Sequence, residues 1–132
     1  MAQKYIVNDI VMYKNRIHTI IDILASNGYE LSYVRHQVSP VRLSGVPLTP
    51  EILEKNGWCR EDGVFGVSLD FKKIINDPAR KKGYITCLSI YPFFDNDGFS
   101  FFYNNQKLAI IHYVHELQHL LFGLGLNSEM EV

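Results

Sequence analysis

The spacing of hydrophobic positions changes along the chain, and with it the element each stretch predicts. Asp9-Ile-Val-Met-Tyr13 is a short apolar run, Lys14-Asn15-Arg16 is a polar break, and Ile17 to Leu24 is rich in β-branched residues. Two strands joined by a tight turn follow from that pattern. After the turn residues Ser26-Asn27-Gly28, positions 29 to 35 alternate, with Tyr29, Leu31, Tyr33 and Arg35 on one face and Glu30, Ser32 and Val34 on the other. A period of two predicts a third strand running through Arg35, and the three together predict a small curled sheet of SH3-like type.

Two prolines and Gly45 make Ser39 to Pro47 a loop. A short helix then starts at Thr49, whose hydroxyl can accept from first-turn amides, with Pro50 where a missing N–H costs nothing and Gly57 as the stop. Val64 to Phe71, Tyr84 to Tyr91 and Phe99 to Tyr103 are further strands, the last two joined through Asp95-Asn-Asp-Gly98 as a hairpin. Lys72 to Lys82 is a polar excursion with room for one helical turn. From about Leu108 the period lengthens: Ile110, Val114, Leu117, Leu121 and Leu124 form the apolar stripe of an amphipathic helix closed by Gly123 and Gly125. The expected class is α+β, one domain over 1–132: a strand-rich body with SH3-like N-terminal hairpins, one short capped helix, and a C-terminal amphipathic helix packed on a sheet.

Charge and composition narrow what such a body can bind. Thirteen Lys and Arg against fourteen Asp and Glu leave a net charge of −1, so no global field attracts a nucleic-acid backbone or an anionic membrane. The uncharged run 83–94 is broken by Pro92 and falls short of a membrane span. The first residues lack the basic-then-apolar order of an export signal, which makes the cytoplasm the expected location. Cys59 and Cys87, single and far apart, read as buried thiols. Eight Tyr, eight Phe and one Trp are more ring surface than a core of this size needs, so some rings are expected to face a partner or ligand.

The sharpest chemical pattern is His115-Glu116-Leu117-Gln118-His119 on the last helix. Histidines four apart on a helix can grip one zinc ion while the glutamate between them serves as base for a metal-bound water. A catalytic zinc needs a third protein ligand, and after His119 the sequence offers only Glu129 and Glu131. On a helical wheel His112, His115, Glu116 and His119 share one arc opposite the Val114–Leu117–Leu121 stripe, as a solvated polar face does. That second reading is the one expected: no cofactor and no metal, with a zinc hydrolase using His115, Glu116 and His119 as an alternative.

The stretch Val114-His-Glu-Leu-Gln-His-Leu-Leu-Phe-Gly-Leu124 resembles the C-terminal VHQLQNLYFAL signature of small proteins from Bacteroidetes phages, prophages and mobile elements. Val46-Pro-Leu-Thr-Pro-Glu-Ile-Leu53 is similar to the PLTEE-L segment of that family, and Val7 to Thr19 to its opening strand and hairpin. Glu116 and His119 stand where the family pattern has Gln and Asn, so the family helix does its work without the zinc pattern. The resemblance implies a phage accessory role in a bacterial host cytoplasm, by analogy with proteins that sequester nucleotide signals of bacterial immunity.

Tyr33, Arg35, His36 and Arg42 fall within ten residues, and rings stack on bases while guanidinium forks grip phosphates. They are the candidate ligand site, with Arg35 and Arg42 on phosphate and Tyr33 or His36 as the stacking surface. The expected function is non-catalytic capture of a small anionic ligand of nucleotide type by a homo-oligomer. The alternative of another class is a protein-interaction or inhibitor module presenting Phe93, Phe94, Phe99, Phe101, Phe102 and Tyr103, with Phe99 to Tyr103 pairing with a copy of itself.

Overall fold

In the computed structural model, residues 5–25, 28–62, 69–75, 86–92 and 98–132 are described. Their strands form two antiparallel sheets. Strands β1 (Ile10–Tyr13), β2 (Arg16–Ile23), β3 (Tyr29–Leu31) and β4 (Ser44–Gly45) lie in the order β3-β2-β1-β4. Strands β5 (Cys59–Asp62), β6 (Leu69–Ile75), β7 (Thr86–Pro92), β8 (Phe99–Tyr103) and β9 (Gln106–Ile111) lie in sequence order. Helix α1 spans Pro50–Lys55 and α2 spans Val114–Gly123. The class is thus α+β and mostly strand, with few helices. No helix among the described residues is long and apolar enough to cross a membrane.

The first hairpin forms where its residues predict it. Lys14 and Asn15 both take positive φ, 50° and 63°, the mirror-image turn that matches strand twist in a two-residue connection. Ile10 pairs with Thr19 and Tyr13 with Arg16. Helix α1 is capped as its sequence requires, the Ile52 N–H donating to Thr49 Oγ1 at 3.2 Å.

Four expectations need correction. The third strand ends at Leu31: Tyr29 and Leu31 are buried, but Tyr33 has φ +61° and is fully exposed, so it leaves the alternation with Arg35. The polar excursion after Phe71 is strand through Ile75, where Phe71 points inward and Lys72 and Ile74 outward, and residues 76–85 lie outside the described set. The last helix does not begin at Leu108. Residues 106–111 form β9, paired with β8 through Asn104 and Asn105, both at positive φ, and Leu108 and Ile110 are exposed on that strand. A two-residue Asn-Asn turn outcompeted the helical period. Finally, Cys59 is exposed and Cys87 half-buried, because both lie on the face of the second sheet turned from the core, opposite Lys72 and Ile74.

The expected self-pairing of Phe99 to Tyr103 is also overturned: β8 is an interior strand with β7 on one edge and β9 on the other. Phe99 and Phe101 are buried in the core, and Phe102, on the opposite face, packs edge-on against Tyr91 at 5.0 Å. Phe93, Phe94 and Asp95 to Asp97 lie outside the described residues.

Two apolar clusters hold the molecule together. One gathers Tyr5, Val11, Ile20, Tyr29 and Leu31 within the first sheet. The other joins Phe71, Leu88, Ile90 and Phe101 of the second sheet to Leu53 of α1 and Val114, Leu117 and Leu121 of α2. Helix α2 bridges the two, since buried Gln118 accepts the Ile10 N–H of β1 at 2.9 Å and donates to the Asn8 carbonyl at 3.0 Å.

Candidate functional site

The hairpin turn and the segment after β3 enclose an open concavity of about 330 Å³. Tyr13, Lys14, Arg16 and His18 line it from the hairpin, and Tyr33, Val34, Arg35 and His36 from the segment opposite. Three cationic side chains and two imidazoles converge there with two tyrosines, and no carboxylate is among the described lining residues. A chain of net charge −1 thus carries a locally positive surface.

The concavity is anchored from below. His18 is buried, and since the Ser32 carbonyl can only accept, its Nδ1 carries the proton shared with that oxygen at 2.8 Å. The Thr19 N–H donates to Ser32 Oγ at 3.0 Å, and the Ser32 N–H to the Thr19 carbonyl at 2.9 Å, which pins the segment after β3 onto β2. Tyr13, also buried, meets His18 at 5.9 Å and His36 at 6.4 Å, both edge-on, while Lys14 Nζ stands 5.4 Å above its ring.

Tyr33 is the strained member. The Val34 N–H donates to the Leu31 carbonyl at 3.3 Å, closing a four-residue turn whose third residue is Tyr33 at φ +61°. That position favours glycine or asparagine, because a side chain there crowds the backbone. A bulky aromatic is held in this conformation with its ring entirely in solvent, so no burial offsets the strain.

Of the residues singled out from sequence, Tyr33, Arg35 and His36 come together here. Arg42 does not line the concavity; it ends an exposed 3-10 turn, Pro40–Arg42. Lys14, Arg16 and His18 were missed, because in sequence they read only as a turn and a strand. The alternation of a hairpin, which sends Arg16 and His18 to one face, was the signal that could have found them.

The His-Glu-x-x-His pattern is divided among other tasks. His115 is buried, not solvated as the wheel suggests: it stacks on Tyr113 at 5.7 Å with 13° between planes and meets Tyr5 edge-on at 4.9 Å. Gly45 admits this stack, since a Cβ there would stand 2.6 Å from the Tyr113 ring. Glu116 accepts the backbone N–H groups of His112 and Tyr113 at 2.8 and 3.0 Å, capping α2. His119 Nε2 meets Asp9 Oδ2 at 2.6 Å. Asp9 is buried, and desolvation holds its carboxyl above the usual carboxylate range, with the Ile6 N–H and His119 opposing. Among the described residues no three His, Cys, Asp or Glu are grouped to hold a metal ion.

Comparison with known proteins gives no match to a family model, to a curated protein or to a solved structure.

Proposed function

We propose that this chain is a binding protein that captures a small anionic ligand of nucleotide type, without catalysis, in the concavity between the β1–β2 turn and residues 33–36. The single observation that supports it is the convergence of Lys14, Arg16 and Arg35 with the rings of Tyr13 and Tyr33 and no described carboxylate. Arg35 and Arg16 serve as phosphate contacts, and the exposed Tyr33 ring is the platform for a base. Arg42, outside the concavity, takes no part in this reading. The four-stranded first sheet beneath is read as SH3-like, and the role as a phage accessory that sequesters a nucleotide signal in a bacterial cytoplasm, on the resemblance of the segments Val7 to Thr19, Val46 to Leu53 and Val114 to Leu124.

Calorimetric titration with linear and cyclic nucleotides, and with inorganic phosphate alone, tests this. Saturable heat with a nucleotide, weakened roughly 10- to 150-fold by Arg35→Glu, is the expected result, the factor a charged hydrogen bond contributes. No heat with any nucleotide overturns it, and a tight protein partner recovered instead points to the interaction module. Chelator-sensitive peptide cleavage would revive the zinc alternative built on His115, Glu116 and His119.

A further inference from the structure

A second cavity lies against the core face of the second sheet. It holds about 300 Å³ and is walled by Trp58, Ile75, Leu88, Leu121 and Leu126, with Lys73 at its rim. Trp58, Leu88 and Leu121 are buried. Its outer wall exists because α2 ends in a reversal: the Leu126 N–H donates to the Leu121 carbonyl at 2.9 Å, and Gly125 takes φ +73°, the left-handed conformation that turns the chain back. The following segment is then tied to α1. The Glu131 N–H donates to Asn56 Oδ1 at 2.8 Å, and Asn56 Nδ2 donates to the Glu131 carbonyl at 2.7 Å.

Among the described residues that line it, this cavity has an apolar body, one cation, Lys73, and one neutral amide, Asn127. Lys73 Nζ donates to the Asn56 carbonyl at 2.9 Å, which uses one of its three N–H groups. Two neighbouring carboxylates are engaged elsewhere, Glu54 with Arg60 at 2.8 Å and Glu61 with Lys72 at 3.0 Å. The apolar part of this half-open cavity gains free energy when an apolar group covers it and takes it out of water. The volume is at the small end of ligand pockets, roughly 300–1,000 Å³. A half-buried ammonium at the rim selects an anionic head group over a neutral one, because a charge-assisted hydrogen bond is the stronger.

We propose that the cavity bounded by Trp58, Leu88 and Leu121, with Lys73 at its rim, is a binding site for a small amphiphilic carboxylate, such as a medium-chain fatty acid. The alkyl body lies against Trp58 and Leu88, and the carboxylate accepts the remaining Lys73 N–H groups. This site is on the opposite sheet from the basic concavity and does not depend on the nucleotide reading.

Trp58 is the sole tryptophan of the chain, so intrinsic fluorescence reports on this cavity directly. Octanoate titrated into the unaltered protein should change Trp58 emission saturably, and 1-octanol, matched in its alkyl body, should bind at least about tenfold more weakly. Lys73→Met should weaken octanoate by a similar factor while leaving octanol nearly unchanged. If that variant fails to fold, the octanoate-to-octanol ratio on the unaltered protein still decides the head-group assignment. Absence of a saturable response to octanoate overturns the site, and equal affinity for acid and alcohol overturns the role of Lys73. Nucleotide added beforehand should leave the octanoate response intact, so this proposal and the nucleotide reading fail separately.

Discussion

Around the β1–β2 turn, two histidines and two tyrosines stand among Lys14, Arg16 and Arg35; around the start of α2, three histidines and two tyrosines stand beside Glu116 and Asp9. The side chains are of similar kinds and their fates differ. At α2, Glu116 closes the helix end, His119 meets buried Asp9, and neighbouring Gln118 joins the helix to β1. Much of the hydrogen bonding of that region is thus spent inside the fold. At the turn, the three cationic side chains are exposed, and no described carboxylate shares the concavity with them. What a region can offer a ligand is the charge and hydrogen bonding its own fold leaves over, and a spacing pattern in sequence does not report that remainder.

The comparison breaks most sharply if α2 proves not to be an internal joint. Leu117→Ala should destabilise by about 2–5 kcal/mol through the cavity it leaves. Gln118→Ala should cost about 2–4 kcal/mol, because the buried Ile10 N–H and the Asn8 carbonyl lose their partner together. Urea denaturation midpoints measure both. A Gln118→Ala variant as stable as the parent would mean that the polar face of α2 is spare after all.

Arg35→Glu tests the other half. An exposed arginine contributes within about 0.5 kcal/mol to stability, so the fold should persist while nucleotide affinity falls by about 1.5–3 kcal/mol. The calorimetry and a denaturation curve on the same sample separate the two effects. Equal losses in both would make Arg35 structural and erase the contrast between the regions.

Glu116→Ala comes next, at about 0.5–2 kcal/mol, the usual worth of a helix cap. A solvated glutamate would cost nothing, so the thermal midpoint alone distinguishes the cap from a surplus charge. Stoichiometric zinc on the purified protein that is lost in His119→Asn would instead restore the zinc pattern.

Much of the architecture could be read from spacing. The Lys14-Asn15 hairpin, the Thr49-Pro50 helix start and the inward set of Val114, Leu117 and Leu121 all follow from local rules that the tertiary structure leaves in force. The start of α2 could not, because Ile110 and Val114 are four apart in a strand followed by a helix as readily as in one helix, and Asn104-Asn105 decided between them. For the site, Tyr33, Arg35 and His36 were legible as a cluster of suitable types. Lys14, Arg16 and His18 were not, since only the pairing of β2 with β3 brings them opposite those residues. Likewise His119 reads as a ligand or a surface residue until the fold brings it to Asp9, 110 positions away.

Tyr33→Gly sharpens the comparison in the opposite sense, by setting stability against binding. Relief of the left-handed backbone should return about 1–2 kcal/mol, less about 0.5–1 kcal/mol for the greater freedom of glycine in the unfolded chain. The net is a slightly more stable protein that has lost its stacking ring and binds nucleotide more weakly. Tyr33→Ala keeps the strain and loses the ring, so it should weaken binding without the gain. A Gly variant that binds as well as the parent would remove Tyr33 from the site.

The smallest effect concerns pH and the Asp9–His119 contact. Burial raises the folded-state pKa of Asp9 above its ordinary value of 3.8, the Ile6 N–H and His119 opposing the shift without cancelling it. The folded chain therefore keeps the Asp9 proton in a window where the unfolded chain has released it, and this binding difference stabilises the fold at the acid side. The contribution is complete below 3.8 and is lost as pH rises through the raised folded value. Asp9→Asn has no such proton, so the stability of the parent relative to this variant should fall across that window and level off above it. Urea midpoints for both proteins from about pH 3.5 to 7 measure the difference directly. A parent advantage that grows with pH would mean that attraction to His119 outweighs desolvation, and the contact at α2 would then be an ion pair rather than a carboxyl held against its preference by the packing of the helix on β1.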